Sequence, residues 1–125
     1  MITGIGIDLI EVDRIAQAVQ QSARFRSRLF TAAEIAYCDQ QAVPAQHYAA
    51  RYAAKEAFFK ALGTGYRDGL SFQEIEIVLN ELGRPAIRVS GKCAEYLREN
   101  GIDSMQLSLT HTAHYACAVV VMEKL

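Results

Sequence analysis

The sequence predicts an α+β domain in which a mainly antiparallel sheet packs against one long helix. Three observations carry that expectation. Segments near both ends of the chain, and one in the middle, alternate apolar and other residues with a period of two, the signature of strands. A single long stretch from about Ala45 to Leu62 is rich in alanine and other good helix formers. The order of elements is strand, helices, hairpin, helix, hairpin, which suits helices gathered on one face of an antiparallel sheet.

Taken in order, residues 4–10 place Ile5, Ile7 and Leu9 on one strand face and Gly4, Gly6 and Asp8 on the other. From about Val12 to Gln21 the pattern is helical, with Val12, Ile15, Ala16 and Val19 on one side. Thr31 followed by Glu34 reads as a capping box opening a second short helix. The long helix stops at Gly63. Phe72 to Leu79 alternates as a strand, residues 80–83 form a turn, and Ala86 to Val89 returns. Residues 91–100 form a helix ended by Gly101, and two strands, Met105 to Thr112 and Tyr115 to Met122, close the chain. The stretch Ala116 to Met122 is apolar on both faces, so this strand is central or covered by a second subunit.

Composition narrows the class. At 125 residues the chain is expected to be one domain, residues 1–125, without repeats, linkers or low-complexity segments. A net charge of −1 gives no bulk attraction to nucleic acid. No apolar run approaches the ~20 residues of a spanning helix, and no secretory signal is visible at the start. Cys38, Cys93 and Cys117 are odd in number and lack CxxC spacing, which argues against disulfides or a zinc site. A reducing, cytoplasmic location is expected. Charge is nevertheless uneven: Arg14, Arg24, Arg26 and Arg28 span a stretch with no acidic residue.

Three groups of residues bear on chemistry. At about 100° per residue, the long helix gathers Ala50, Ala53, Ala54, Ala57, Phe58, Ala61 and Leu62 on one half. Arg51, Lys55, Glu56 and Lys60 fall on the other half, with Tyr52 and Phe59 among them. On helix pattern alone this is a solvated face with a routine Glu56–Lys60 pair. The two aromatics within it, and the Gly63-Thr64-Gly65 segment that follows, point instead to an anion site, because glycine lets backbone N–H groups approach an anion closely. Asp8 interrupts a strand where aspartate is disfavoured. It reads either as a solvent-facing edge residue or as a carboxylate in the space cleared by Gly4 and Gly6, suited to a hard cation such as Mg²⁺. His111 shares a strand face with Met105, Leu107 and Leu109 and reads as a core histidine or a ligand residue, whereas His47 and His114 read as surface residues.

Taken together, the segments Gly4-Ile5-Gly6-Ile7-Asp8-Leu9-Ile10-Glu11-Val12-Asp13-Arg14-Ile15, Arg51-Tyr52-Ala53-Ala54-Lys55-Glu56-Ala57-Phe58-Phe59-Lys60-Ala61-Leu62-Gly63-Thr64-Gly65, Gly69-Leu70-Ser71-Phe72 and Ser108-Leu109-Thr110-His111-Thr112 resemble the holo-acyl-carrier-protein synthases, the small trimeric group of 4′-phosphopantetheinyl transferases. The likeness runs through the whole chain. It implies the corresponding fold, assembled as a homotrimer with active sites between subunits. It implies transfer of 4′-phosphopantetheine from coenzyme A to a serine of an acyl carrier protein, with Mg²⁺ as cofactor. Asp8 and Glu56 match the family's metal carboxylates, and Lys60 matches the lysine near the reacting phosphate. Arg51, Gly63, Thr64, Gly65, Ser108 and His111 match segments lining the nucleotide. Arg14 lies on the helix that meets the acidic carrier, and Arg24 and Arg28 extend that basic run, since opposite charge speeds and orients encounter. Thr110 stands where serine is frequent, and Phe59 and Tyr66 are bulkier than usual.

The implied reaction is attack of the carrier serine on the β-phosphate of coenzyme A, with 3′,5′-ADP leaving. The base is Glu56 or a water held by the ion between the two carboxylates. Two other classes compete. A non-catalytic carrier-protein or nucleotide-binding module keeps the arginines and the glycine loop but has no need of Asp8 and Glu56 together. A small structural oligomer needs neither.

Overall fold

The computed structural model describes residues 1–65 and 69–125. Tyr66, noted above as unusually bulky, lies outside the described residues. The elements are β1 (Ile2–Glu11), α1 (Val12–Gln21), α2 (Ala23–Leu29), α3 (Ala32–Asp39), α4 (Pro44–Leu62), a 3₁₀ turn (Phe72–Glu74), β2 (Ile75–Leu79), β3 (Pro85–Val89), α5 (Gly91–Glu99), β4 (Ser104–His111) and β5 (Tyr115–Glu123). Among these residues the strands form two antiparallel sheets, one of three strands ordered β1-β5-β4 and a β2-β3 hairpin. The doubly apolar β5 is therefore the centre of its sheet, and the antiparallel α+β expectation holds.

Local chemistry explains most boundaries. The Thr31 hydroxyl accepts the Glu34 N–H, and the Glu34 carboxylate accepts the Thr31 N–H, completing the capping box of α3. Pro44 opens α4, where its missing N–H costs nothing. Gly63 ends it in the left-handed conformation, φ +79°. Two expectations need revision. Helix α2 was not anticipated; the Ser22 side chain caps it by accepting the Phe25 N–H. The start of the second strand is instead the 3₁₀ turn, where Ser71 and Glu74 form a second capping box.

The packed face of β1 is the one that carries glycine. Gly4, Gly6 and Asp8 face inward, toward α4. A Cβ on Gly6 would lie 1.9 Å from the Ala57 carbonyl oxygen, and one on Gly4 would lie 2.0 Å from that of Ala61. The glycines clear space for the helix backbone, and the alanines opposite them allow the same approach. Ile5, Ile7 and Leu9 are left 67%, 59% and 63% exposed on the outer face of the sheet.

Helix α4 is also less two-sided than its sequence suggests. It packs on β1, β5 and β4 on one side and on α1, α3 and β2 on the other. Arg51 and Lys55, read as presented cations, are buried, as is Phe59. Lys55 Nζ donates to Glu34 Oε1 at 2.6 Å, to the Leu29 carbonyl at 2.7 Å and to the Phe72 carbonyl at 3.0 Å. Three acceptors match the three protons of an ammonium group. Glu34 Oε2 in turn accepts the Ile77 N–H. One buried ion pair thus joins α4 to the end of α2, to α3, to the 3₁₀ turn and to β2.

Candidate active site

The inward face of β1 delivers Asp8 to the last turns of α4. Lys60 Nζ donates to Asp8 Oδ1 at 3.1 Å and to the Ile7 carbonyl at 2.9 Å. The Asp8 side chain is 16% exposed and that of Lys60 52%, so the carboxylate is shielded while the ammonium faces solvent. Glu56, one turn before Lys60, hydrogen-bonds the Tyr52 hydroxyl, a turn further back. Tyr52 is pushed up to about 12, first by burial, then by the charge and hydrogen bond of Glu56, then by Asp8, with Arg14 opposing. Its phenol stays protonated and donates to Glu56. Asp8, Glu56 and Arg14 therefore act on one half-buried phenol, and Lys60 joins them through Asp8: two carboxylates and two cations on one side of the molecule.

From Glu56 a cleft of about 690 Å³ opens, walled by Tyr52, Phe72, Ser71 and Gln73 on one side and by Arg24, Phe25 and Arg28 of α2 on the other. The Gln73 amide donates to the Ser27 carbonyl and ties the two walls together. Arg26 points away, paired with Asp39 at 3.8 Å. Unanticipated helix α2 is thus what brings Arg24 and Arg28 into the same cleft as Glu56.

The other anticipated site residues do not join this group within one chain. Arg51 lies about 140° or more around α4 from Glu56 and Lys60. Its guanidinium carbon is 4.3 Å from the centre of the Tyr37 ring. His111 is exposed at the end of β4, not in the core, and its ring centroid is 5.6 Å from that of His47. His47, read from sequence as a surface residue, is half-buried between His111 and Tyr37. Ser108 pairs with Val119, which pairs with Ile7, so Ser108 lies on the outer sheet face beside the exposed β1 residues. In the glycine loop, the Gly63 and Gly65 N–H groups donate to the Lys60 and Phe59 carbonyls, closing the helix end. Thr64 Oγ1 bonds the Gly65 carbonyl.

Among the described residues, no group of three or more His, Cys, Asp and Glu side chains converges. The Asp8 and Glu56 pair fits a hard cation nonetheless. Both offer carboxylate oxygens, both act on the same phenol, and a cation that keeps several waters needs only one or two protein carboxylates.

Comparison with known proteins places this geometry. Residues 4–120 match the model of the 4′-phosphopantetheinyl transferase superfamily, and the chain belongs to that superfamily. A holo-(acyl-carrier-protein) synthase of Geobacter sp. strain M21 is 45% identical over 126 residues, covering 99% of this chain and 100% of the relative. One from Syntrophus aciditrophicus strain SB is 43% identical, covering 100% and 98%. The crystal structure of the Neisseria meningitidis enzyme of that name superposes with a TM-score of 0.91 at 37% identity, covering 99% of this chain and 100% of that one. The Helicobacter pylori enzyme, solved in complex with coenzyme A, superposes at 0.84 with 33% identity, covering 95% and 99%. Within the superfamily, the chain falls among the holo-(acyl-carrier-protein) synthases.

Proposed function

We infer that this chain transfers the 4′-phosphopantetheine group from coenzyme A to a serine of apo acyl carrier protein, releasing adenosine 3′,5′-bisphosphate. The observation that carries the reading is the joining of Asp8, Glu56 and Lys60 at the head of a cleft lined by Arg24 and Arg28. The coenzyme A complexes solved for relatives of similar fold support the same co-substrate. In the reaction a bond forms between the serine oxygen and the β-phosphorus, and the bond to the bridging oxygen of the leaving nucleotide breaks. Asp8 and Glu56 would hold Mg²⁺, which when bound supplies positive charge against the phosphoryl oxygens.

The chain's own residues do the rest. Lys60, braced by Asp8 and the Ile7 carbonyl, holds an ammonium beside the developing phosphoryl charge, where a fixed cation helps most. Tyr52 orients Glu56 by donating to it, leaving the carboxylate to accept the serine proton. Arg24 and Arg28 receive an acidic carrier surface and bring its serine into the cleft. Incubation with coenzyme A, Mg²⁺ and apo carrier protein should add the phosphopantetheine mass to the carrier by mass spectrometry. An unmodified carrier would leave the binding-module reading.

The docking role gives a separable expectation. Arg24→Glu with Arg28→Glu should raise KM for the carrier about tenfold while leaving KM for coenzyme A nearly unchanged, because rim charges act mainly on encounter. Arg14 is a poorer probe, since it also acts on Tyr52 beside the carboxylates. Equal effects on both substrates in steady-state kinetics would remove α2 from carrier recognition.

The assembly we favour is a cytoplasmic homotrimer serving fatty acid biosynthesis, with each site completed by a neighbouring subunit. Two observations support the oligomer. Ile5, Ile7 and Leu9 form one exposed apolar row, flanked on β5 by Cys117, Val119 and Val121. Ser108 shares that face, away from the carboxylates of its own chain. Ile7→Glu should yield monomers by analytical ultracentrifugation, with activity lost along with the trimer. An unchanged mass would mean that this face is not the interface.

A further inference from the structure

Each carboxylate of the candidate site is already engaged by a donor of its own chain. Lys60 Nζ donates to Asp8 Oδ1 at 3.1 Å. The Tyr52 hydroxyl, four residues before Glu56 on α4, keeps its proton and donates to the Glu56 carboxylate. One oxygen of each carboxylate is thereby committed, and one is left for an ion. The Tyr52 hydroxyl is also held in place. Its ring stacks on that of Phe72, with centroids 6.2 Å apart and planes 11° from parallel. The Phe72 ring packs edge-on against Phe59 at 5.3 Å, and the Phe72 carbonyl accepts from the buried Lys55 at 3.0 Å. Swinging Tyr52 away from Glu56 would break this stack, which forms part of one cleft wall.

The number of oxygens a carboxylate can offer decides which ion it suits. Ca²⁺ gathers about six to eight oxygens and often takes both from one carboxylate. Mg²⁺ is smaller, demands near-octahedral geometry, and keeps several waters beside one or two carboxylates. Resting on the functional reading above, in which Asp8 and Glu56 share a divalent ion, we propose that Tyr52 is a specificity-determining residue: its hydroxyl confines Glu56 to a single-oxygen contact and so favours a small octahedral ion over Ca²⁺. Without that hydroxyl, both Glu56 oxygens are open to the larger ion. Lys60 restrains Asp8 in the same way, but its ammonium also serves the phosphoryl group, so Tyr52 is the cleaner probe.

The test is competition for the ion in wild type and Tyr52→Phe, each with saturating coenzyme A. Mn²⁺ is the probe, because it shares the preference of Mg²⁺ for carboxylate and water oxygens. Added Ca²⁺ or Mg²⁺ displaces it, and electron paramagnetic resonance follows the free Mn²⁺. Tyr52→Phe keeps the ring on Phe72 and removes only the hydroxyl. Relative to Mg²⁺, Ca²⁺ should become about tenfold more effective in the variant, the scale of losing a group that restrains a metal ligand. The infrared difference spectrum on adding Ca²⁺ should show a lowered antisymmetric carboxylate stretch, the mark of a two-oxygen contact, in the variant only. A Ca²⁺-to-Mg²⁺ ratio that is unchanged or lower would overturn the proposal, including the case where both ions bind the variant more tightly by the same factor. If wild type held no Mn²⁺ beyond that bound by coenzyme A alone, the shared-ion reading of Asp8 and Glu56 would fall along with it.

Discussion

Asp8→Ala and Glu56→Gln should each lower kcat for phosphopantetheine transfer by about 10²–10³-fold in saturating Mg²⁺, the scale of losing one preorganised electrostatic group in a shielded site. The two substitutions act through different contacts. Asp8→Ala removes a proposed metal carboxylate and also releases Lys60, which among the described residues would keep only the Ile7 carbonyl as a partner. Glu56→Gln keeps shape and the ability to accept from Tyr52 but loses the charge and the basic oxygen. Single-turnover measurements should therefore show both variants slow in chemistry, with carrier binding preserved in Glu56→Gln because Arg24 and Arg28 are untouched. Near-normal turnover in both would exclude the carboxylate pair from the reaction.

The second large effect is on stability. Lys55→Met should destabilise the fold by about 3–5 kcal/mol, because it leaves the Glu34 carboxylate buried without its ammonium partner. The Leu29 and Phe72 carbonyls lose their donor as well. Burial pulls the Lys55 amine below the ordinary lysine range, and Glu34 is the main group opposing that shift. The pair is therefore neither cheap to form nor safe to break. Urea denaturation should show the loss as a lower midpoint with an unchanged slope. The double variant Lys55→Met, Glu34→Gln should recover part of it, because the remaining amide can still accept the Thr31 N–H and carries no charge. A double variant less stable than the sum of the singles would contradict this explanation. Lys55 also binds the ends of both cleft walls, so the single variant should weaken carrier binding even at temperatures where it stays folded.

Much of the fold was legible because local rules agreed with the tertiary outcome. The capping box at Thr31, the stop at Gly63 and the doubly apolar β5 each follow from a few adjacent residues. The candidate residues on β1 and α4 stand out through motif and spacing. What was missed depended on contacts between distant segments. Which face of β1 packs could not be read, because bulky apolar residues usually mark the core; here the close approach of two backbones reserves the inside for glycine. Lys55 looked solvated because its three partners come from positions 29, 34 and 72. Helix α2 carries few apolar residues in a regular pattern, and only its Ser22 cap was a usable signal. The half-burial of His47 could not be read without knowing that β4 ends against the first turns of α4.

The pairing of Asp8 and Glu56 around one divalent ion is open to direct measurement by titrating Mn²⁺ into the protein with saturating coenzyme A and following the free ion by electron paramagnetic resonance, with coenzyme A alone as the reference. One additional Mn²⁺ should bind per chain in wild type, and none in Asp8→Ala or Glu56→Gln. Undiminished binding in both variants would mean that the two carboxylates do not share an ion.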